Sequence, residues 1–421
     1  MRLLFMSPLA KTLHETTIGL DLVEQLRGSG VVAHFVIDED NEDQLKAAGH
    51  PYTVIRPAMG GRVREEVGRV VREYRPDAVV LSDYMAHWLT HLVSYDTDPW
   101  YVQDFGVPVI PLDLHDLTNT TRELEVLGRT TIVDGNILDM PAHLHPVPVG
   151  RPEAHPDGPG LPYRVTTSVH PLSDTERAEV RRSLGLGQAE RLLMFPTLPW
   201  QKTMQTRAGP RTQELAVRVP RLIGHCLRQL PDDTHFLVVG PYLGGLDLPP
   251  ERLHVESSYT AQRYHDLIGA SDGVMSSFLP SYALERAVLA DVPGLFLINT
   301  HDFGEATSGG KRPGAPEGLS STVRSWLADF PGPVPPFHMW PLQWNKILGP
   351  LMADNPFAGT AVRSELFDER AVVDGLTGVL HDPLVRGRLA EERAAYRDTI
   401  DRLPDTTEVF AEAARRVGLP F

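Results

Sequence analysis

At 421 residues the chain is too long for one typical domain of ~100–200 residues and fits two, each able to bury its own core. Hydrophobic residues make up 42% and charged residues 23%, which excludes a disordered or fibrous protein. Lys and Arg number 40 against 55 Asp and Glu, and the formal charge of −15 repels a phosphate backbone, which argues against nucleic acid as a partner.

Met1–Ala10 is too short and too weakly charged for a signal peptide, so the N-terminus is expected to belong to the fold. The apolar run Leu3–Met6 predicts a strand, Ser7–His14 a loop, and the spacing of Ile18, Leu22, Val23 and Leu26 a helix. Val31–Ile37 and Tyr52–Ile55 follow as strands, Val63–Tyr74 as a helix and Ala78–Leu81 as a further strand. Val107–Leu112 and Thr131–Val133 continue the pattern. Strands alternating with helices give an α/β fold, a parallel sheet with helices on both faces.

Between Pro141 and Pro171 the composition shifts to Pro, Gly and His, most densely in His145–Pro148 and Pro156–Pro162. This predicts a linker, residues 151–172, between a first domain (1–150) and a second (173–400). The second opens with a helix over Thr175–Leu184 and a strand over Leu192–Phe195. Then come helix Val219–Leu230, strands Phe236–Val239 and His254–Glu256, helix Tyr264–Ile268, strand Gly273–Ser276, helix Tyr282–Leu289 and strand Leu295–Ile298. Gly304–Pro336 reads as an insertion or mobile loop, Glu369–Tyr396 as amphipathic helix, and 401–421 as a C-terminal helix that can cross back to the first domain. No stretch approaches the ~18 apolar residues of a membrane span. The single cysteine, Cys226, makes no internal disulfide and indicates a reducing compartment, the cytoplasm.

Several motifs fail. Gly310-Lys311 has Glu305 where a P-loop needs Gly, and Arg312 where it needs Ser or Thr. Ser7–Glu15 holds no glycine, which disfavours a dinucleotide fingerprint at the first strand–helix turn. No Gly-x-Ser-x-Gly elbow occurs, and Cys226 lies mid-helix as expected of an inert buried thiol. His143 with His145, and Asp38 with Asp40, each lack a third ligand and read as solvated loops, so no metal site is expected.

Val255–Asn299 is the informative stretch. Pro280 suits the first turn of a helix because its missing N–H is not needed there, so the helix starting near Ser281 offers free amides to a phosphate. Glu285, one turn in, can accept hydrogen bonds from sugar hydroxyls, and Tyr259 can stack on a base.

Here the chain resembles the nucleotide-sugar glycosyltransferases of the GT-B fold, especially the metal-independent inverting enzymes that decorate natural products. The resemblance implies two Rossmann-like domains facing across a cleft. Tyr259 falls where that family stacks a Trp on the nucleotide base, and Gln262 and Glu285 where it holds the ribose. Ser277 takes the place of its diphosphate-binding His, and Asp302 that of its sugar-binding Asp. Leu279 replaces a glycine two residues after that His, and Asp291 the glycine before Val-Pro. Phosphate can still be met by the Ser277 and Ser281 hydroxyls, helix amides and Thr197.

In the first domain the resemblance places a general-base His at His14, held by Asp83. An acceptor hydroxyl is a poor nucleophile until its proton is taken, and a His of ordinary pKa ~6.5 does that near neutrality, at a gain of ~10²–10⁴ in rate. His115, flanked by Asp113 and Asp116, is the rival base, and a helix-entrance role for His14 with Asp83 as a cap is the structural alternative. Tyr84 and Trp88, with Tyr95, Trp100 and Tyr101 nearby, line an acceptor pocket or pack the core; His87 reads the same way. Trp340 and Trp344 read as packing.

The expectation is therefore inverting transfer of a sugar from a nucleoside-diphosphate donor to a hydroxyl-bearing small molecule. Beyond that co-substrate the resemblance implies no cofactor. Two other functions fit the same residues: a non-hydrolysing sugar-nucleotide epimerase, and a degenerate member that binds without turnover, which the loss of the diphosphate His motivates. Uracil and thymine both suit Tyr259. A homodimer is compatible with the sequence, which does not specify oligomeric state.

Overall fold

Arg2–Ser7 forms β1, whose residues after Arg2 are all buried, as expected of a central strand covered on both faces. Around it stand β2 (Val32–Asp38), β3 (Tyr52–Ile55), β4 (Ala78–Leu81) and β5 (Val109–Pro111), in the order β3-β2-β1-β4-β5 and all parallel. The helices are α1 (His14–Gln25), α2 (Glu42–Ala48), α3 (Val63–Tyr74) and α4 (Tyr84–Ser94). Phe5 pairs with Phe35 in register and their rings stack at 4.8 Å. Gly19 lets α1 approach this pair: a Cβ there would lie 3.1 Å from Phe35 and from Ser82 Oγ.

The structure is a computed structural model that describes residues 1–421 except 11, 119, 127–128, 149, 154–157, 280, 306 and 308–311. Pro280, Pro156, Gly310 and Lys311, used in the sequence reading, lie outside the described residues. Two small sheets follow the first: β6 (Glu123–Val126) with β7 (Arg129–Ile132), and β8 (His143–Val147) parallel to β9 (Gly160–Arg164).

After α5 (Asp174–Ser183), started by a Ser173–Glu176 capping box, comes a six-stranded parallel sheet. Its strands are β10 (Arg191–Pro196), β11 (Thr234–Val239), β12 (Leu253–Glu256), β13 (Gly273–Ser276), β14 (Gly294–Ile298) and β15 (Ala361–Glu365), ordered β12-β11-β10-β13-β14-β15. Its helices are α6 (Pro199–Arg207), α7 (Pro210–Leu227), α8 (Ala261–Ala270), α9 (Tyr282–Leu289), α10 (Ser321–Asp329), α11 (Asn345–Met352), α12 (Pro356–Gly359), α13 (Glu369–His381) and α14 (Pro383–Asp401). The chain closes with α15 (Thr406–Arg416). Among the described residues no helix is long and apolar enough to cross a membrane.

The chain divides into two compact units: Met1–Glu123 with Ile132–Ser168 and Asp398–Phe421, and Leu124–Thr131 with Val169–Arg397. In the second, Phe195, Val219, Phe236, Val238 and Trp340 belong to the buried apolar core. Its buried Asp272 is met by Arg177 at 2.9 Å, Arg181 at 3.0 Å and Arg191 at 3.3 Å, and accepts the Leu192 amide at 2.9 Å. The carboxylate thus ties α5 to the start of β10.

Three expectations need correction. Thr131 belongs to β7, exposed along its length and outside the parallel sheet, because its Thr-rich segment has no apolar face to bury. The stretch expected as linker contains β9, which bonds to β8 despite Pro162. Gly304–Pro336 contains the capped helix α10 and a buried Arg312 that donates to the Gly304, Leu327, Phe330 and Gly332 carbonyls.

Candidate active site

Both sheets reverse their winding at the strand pair around the first strand, β1/β4 in one unit and β10/β13 in the other. In open α/β sheets the crevice beyond the strand ends at that point is where ligands bind. Each unit bridges its pair there: Ser7 Oγ meets Ser82 Oγ at 2.7 Å, and Gln201 Nε2 donates to Ser277 Oγ at 3.4 Å.

In the first unit, His14 begins α1 and is half-buried, its amide donating to Thr12 Oγ1. Asp83 follows β4 and caps α4, its Oδ1 accepting the amides of Met85 at 2.9 Å and Ala86 at 3.1 Å. Burial lifts the Asp83 carboxyl to about 6, against the opposing pull of those amides and of His14. His115 Nδ1 lies 3.9 Å from Asp83 Oδ1, and burial drops this imidazole to about 4. The structure therefore brings the expected base, its rival and the shared carboxylate into one electrostatic group. Beside them, Glu15 is buried and lifted by burial to about 7, with His14 pulling it down and Asp83 pushing it up.

Asp113, His143 and His145 form a second group, all buried, each offering a ligand atom within 4.8 Å of the others. This corrects the reading of the two histidines as solvated: they lie on the buried strand β8, with the Asp113 carboxylate close enough to offer a third ligand atom. Asp38 instead caps a turn, accepting the Asp40 amide. Asp116, also buried, pairs with Arg151 at 2.8 Å.

Tyr84 and Trp88 are buried in the first unit. The Tyr84 hydroxyl donates to the Asp134 carbonyl and accepts the Ile137 amide, and its ring stacks on Trp100 at 5.0 Å, so packing accounts for it fully. His87 donates to the Pro99 carbonyl inside the same core.

In the second unit, Ser277 and Ser281 are buried beyond β13, and Ser281 caps α9 by accepting the Leu284 amide at 3.4 Å. Glu285 is buried in the first turn, with Arg286 Nη1 at 3.2 Å. Arg286 also lies over Tyr282, 4.0 Å from the ring centre. Tyr259 is half-buried and leads a row of rings, 5.1 Å to Tyr264 and then 5.5 Å to Tyr282. Gln262 is exposed and donates to Asp266, and Asp302 is exposed. Thr197 is buried, and its hydroxyl donates to the Pro241 carbonyl at 2.8 Å. The loop after β13 carries further bonds: the Leu279 amide donates to His338 O and the Trp340 amide to Ser277 O. Trp340 is wholly buried, with its indole donating to Leu215 O, and Cys226 is a buried thiol pushed up to about 12 by burial.

The sequence reading missed Glu15 and Asp113 as site residues, and Gln201 altogether. Glu15 lies one turn before Ile18 and two before Leu22, on the apolar face of α1, and a carboxylate on such a face is a readable signal. Asp113 and Gln201 reach their partners only through the fold.

Among solved structures the chain is similar to Spinosyn Forosaminyltransferase SpnP, at 15% identity and a TM-score of 0.58 over 99% of each chain. Glycosyltransferase VinC in complex with DTDP is similar at 14% identity and 0.54 over 99% of each. Anabaena Alr3699/HepE in complex with UDP-glucose is similar at 12% and 0.53, over 99% of this chain and 98% of that one. These likenesses show the fold, two Rossmann-like units in the GT-B architecture. No curated protein matches the chain. A model of the family of unknown function DUF6365 matches residues 22–418, and the chain belongs to that family.

Proposed function

We propose that the protein is a cytoplasmic glycosyltransferase that moves a sugar from a nucleoside-diphosphate donor to a hydroxyl-bearing small molecule with inversion. The observation that carries this reading is the set Ser277, Ser281 and Glu285 beyond β13, the switch point of the six-stranded sheet, in a fold shared with structures named as glycosyltransferases. Two of the similar structures, HepE and VinC, were solved with UDP-glucose and with DTDP, which supports a pyrimidine nucleotide on Tyr259.

In this reading Tyr259 stacks on the base, Gln262 and Glu285 take the ribose hydroxyls, and Asp302 takes the sugar. Ser277, Ser281, Thr197 and the amides at the start of α9 hold the diphosphate without a metal on it. His14 takes the acceptor proton as that oxygen attacks the anomeric carbon, and the bond to the diphosphate breaks on the opposite face. His14 is preferred to His115 because it is only half-buried, at the start of α1, whereas His115 is 3% exposed. Asp83 steadies the imidazolium that forms. The test is acceptor-dependent release of nucleoside diphosphate across a panel of donors and hydroxylated acceptors; release with an inverted anomeric product supports the reading, and none across the panel defeats it.

A second reading, binding without turnover, has an observation of its own. The Thr197 hydroxyl and the Leu279 amide already donate to protein carbonyls, which leaves fewer donors to stabilise a leaving diphosphate. Donor binding with neither transfer nor hydrolysis would favour it.

A further inference from the structure

His143 and His145 alternate with Leu144 along β8, so their side chains leave the strand on the same face. Leu144 bridges in parallel to Leu112 just past β5, and the Asp113 amide donates to Leu144 O at 2.9 Å, which delivers Asp113 to the two histidines. Asp113 Oδ2 and His145 Nε2 are 3.6 Å apart. The exposures of the three residues are 1%, 0% and 7% for Asp113, His143 and His145. His145 Nε2 is buried and has no hydrogen-bond partner among the described residues.

The surroundings fix these groups. Asp113 Oδ1 accepts the His115 amide at 3.1 Å and Oδ2 the Leu117 amide at 2.8 Å, leaving each oxygen a lone pair. Opposite β8, a Cβ on Gly160 would lie 2.7 Å from His145 Cε1, so glycine at that point of β9 makes room for the ring.

We propose that Asp113, His143 and His145 bind one divalent transition-metal ion, zinc foremost. Two imidazole nitrogens and one carboxylate oxygen suit zinc, whereas magnesium and calcium prefer oxygen alone. Metal–ligand bonds of ~2.0–2.1 Å in a tetrahedral site set ligand atoms about 3.4 Å apart, so the 3.6 Å pair is in place and the remaining separations close by small side-chain turns. Three protein ligands leave a fourth position for water or a substrate oxygen. The two amides on Asp113 are the outer bonds that hold a ligating carboxylate in its orientation. This site belongs to the first unit, whereas the residues proposed to grip the diphosphate belong to the second.

The test uses the full chain, stripped with chelator, exposed to zinc, desalted and assayed for metal by mass spectrometry. About one zinc per chain is expected, with binding weakened at least about tenfold in His145→Gln and in Asp113→Asn, each checked for folding by circular dichroism. A wild-type chain that retains no zinc overturns the proposal, as do folded variants that retain as much as wild type. Should the variants not fold, X-ray absorption of the zinc-loaded wild type decides: a shell with two imidazoles supports the site, and one without them overturns it.

Discussion

Asp83 Oδ1 faces His115 Nδ1 across 3.9 Å while the same oxygen accepts the amides of Met85 and Ala86. One atom therefore caps α4 and sets the field at the carboxyl end of β4, where His14 also acts on it. The two tasks separate by substitution. Asp83→Asn keeps an oxygen for the cap and loses the charge, so transfer falls while stability holds; Asp83→Ala loses both, at a further cost of about 1 kcal/mol. Single-turnover rates with parallel thermal unfolding distinguish them.

Replacing His14 by Ala is expected to slow single-turnover transfer by ~10²–10⁴ with folding intact. His115→Gln, in a buried position, is expected to change stability more than rate. The reverse pattern would make His115 the base.

Glu15 and Asp83 are both held above their ordinary values, 4.5 raised to about 7 and 3.8 raised to about 6, chiefly by burial. The folded state thus prefers their protonated forms. The stability this gives is full below the unfolded values and is lost as pH rises through about 6 to 7. Glu15→Gln, which stays neutral, should match wild type below about pH 4.5 and exceed it above about pH 7, by on the order of 3 kcal/mol. Thermal unfolding across that range checks the sign; an advantage that shrinks as pH rises would contradict it.

Asp272 neutralises Arg181, itself 5% exposed, and holds two further arginines. Asp272→Ala leaves a buried guanidinium without its counter-charge and should cost about 3–5 kcal/mol in denaturant unfolding. A loss below about 1 kcal/mol would mean that the carbonyls around Arg181 suffice alone.

Much of the scaffold was legible because each βα unit repeats one pattern. Tyr52–Ile55, Val63–Tyr74, Ala78–Leu81 and Tyr282–Leu289 match the observed bounds, each a short apolar run or a helical stripe bounded by turns. β9 was not legible, since Gly160–Arg164 contains Pro162 and lies in Pro-rich surroundings that read as loop. β15 is polar at its exposed edge and was not expected as a strand. For the proposed site, His14, Asp83 and Ser277 were named from the family resemblance, and Glu285 also from its place one turn inside the helix after β13. The meeting of Asp113 with His143 and His145 depends on the Leu112–Leu144 bridge, a contact between segments some thirty residues apart that no local spacing encodes. The burial of Tyr84 was undecidable for a similar reason: its hydroxyl is satisfied by Asp134 and Ile137, far along the chain.

The most direct test of nucleotide-sugar binding is a calorimetric titration of the full chain with nucleoside diphosphates, repeated on Glu285→Ala and Tyr259→Ala. The account predicts selective binding of a pyrimidine nucleoside diphosphate, weakened by about 1–3 kcal/mol when the Tyr259 ring is removed and weakened again without Glu285. At a hundredfold excess over its dissociation constant the ligand should also add about 2.7 kcal/mol of apparent stability. A wild-type chain that binds no nucleoside diphosphate, or binds it equally well without Tyr259 and Glu285, would contradict the account.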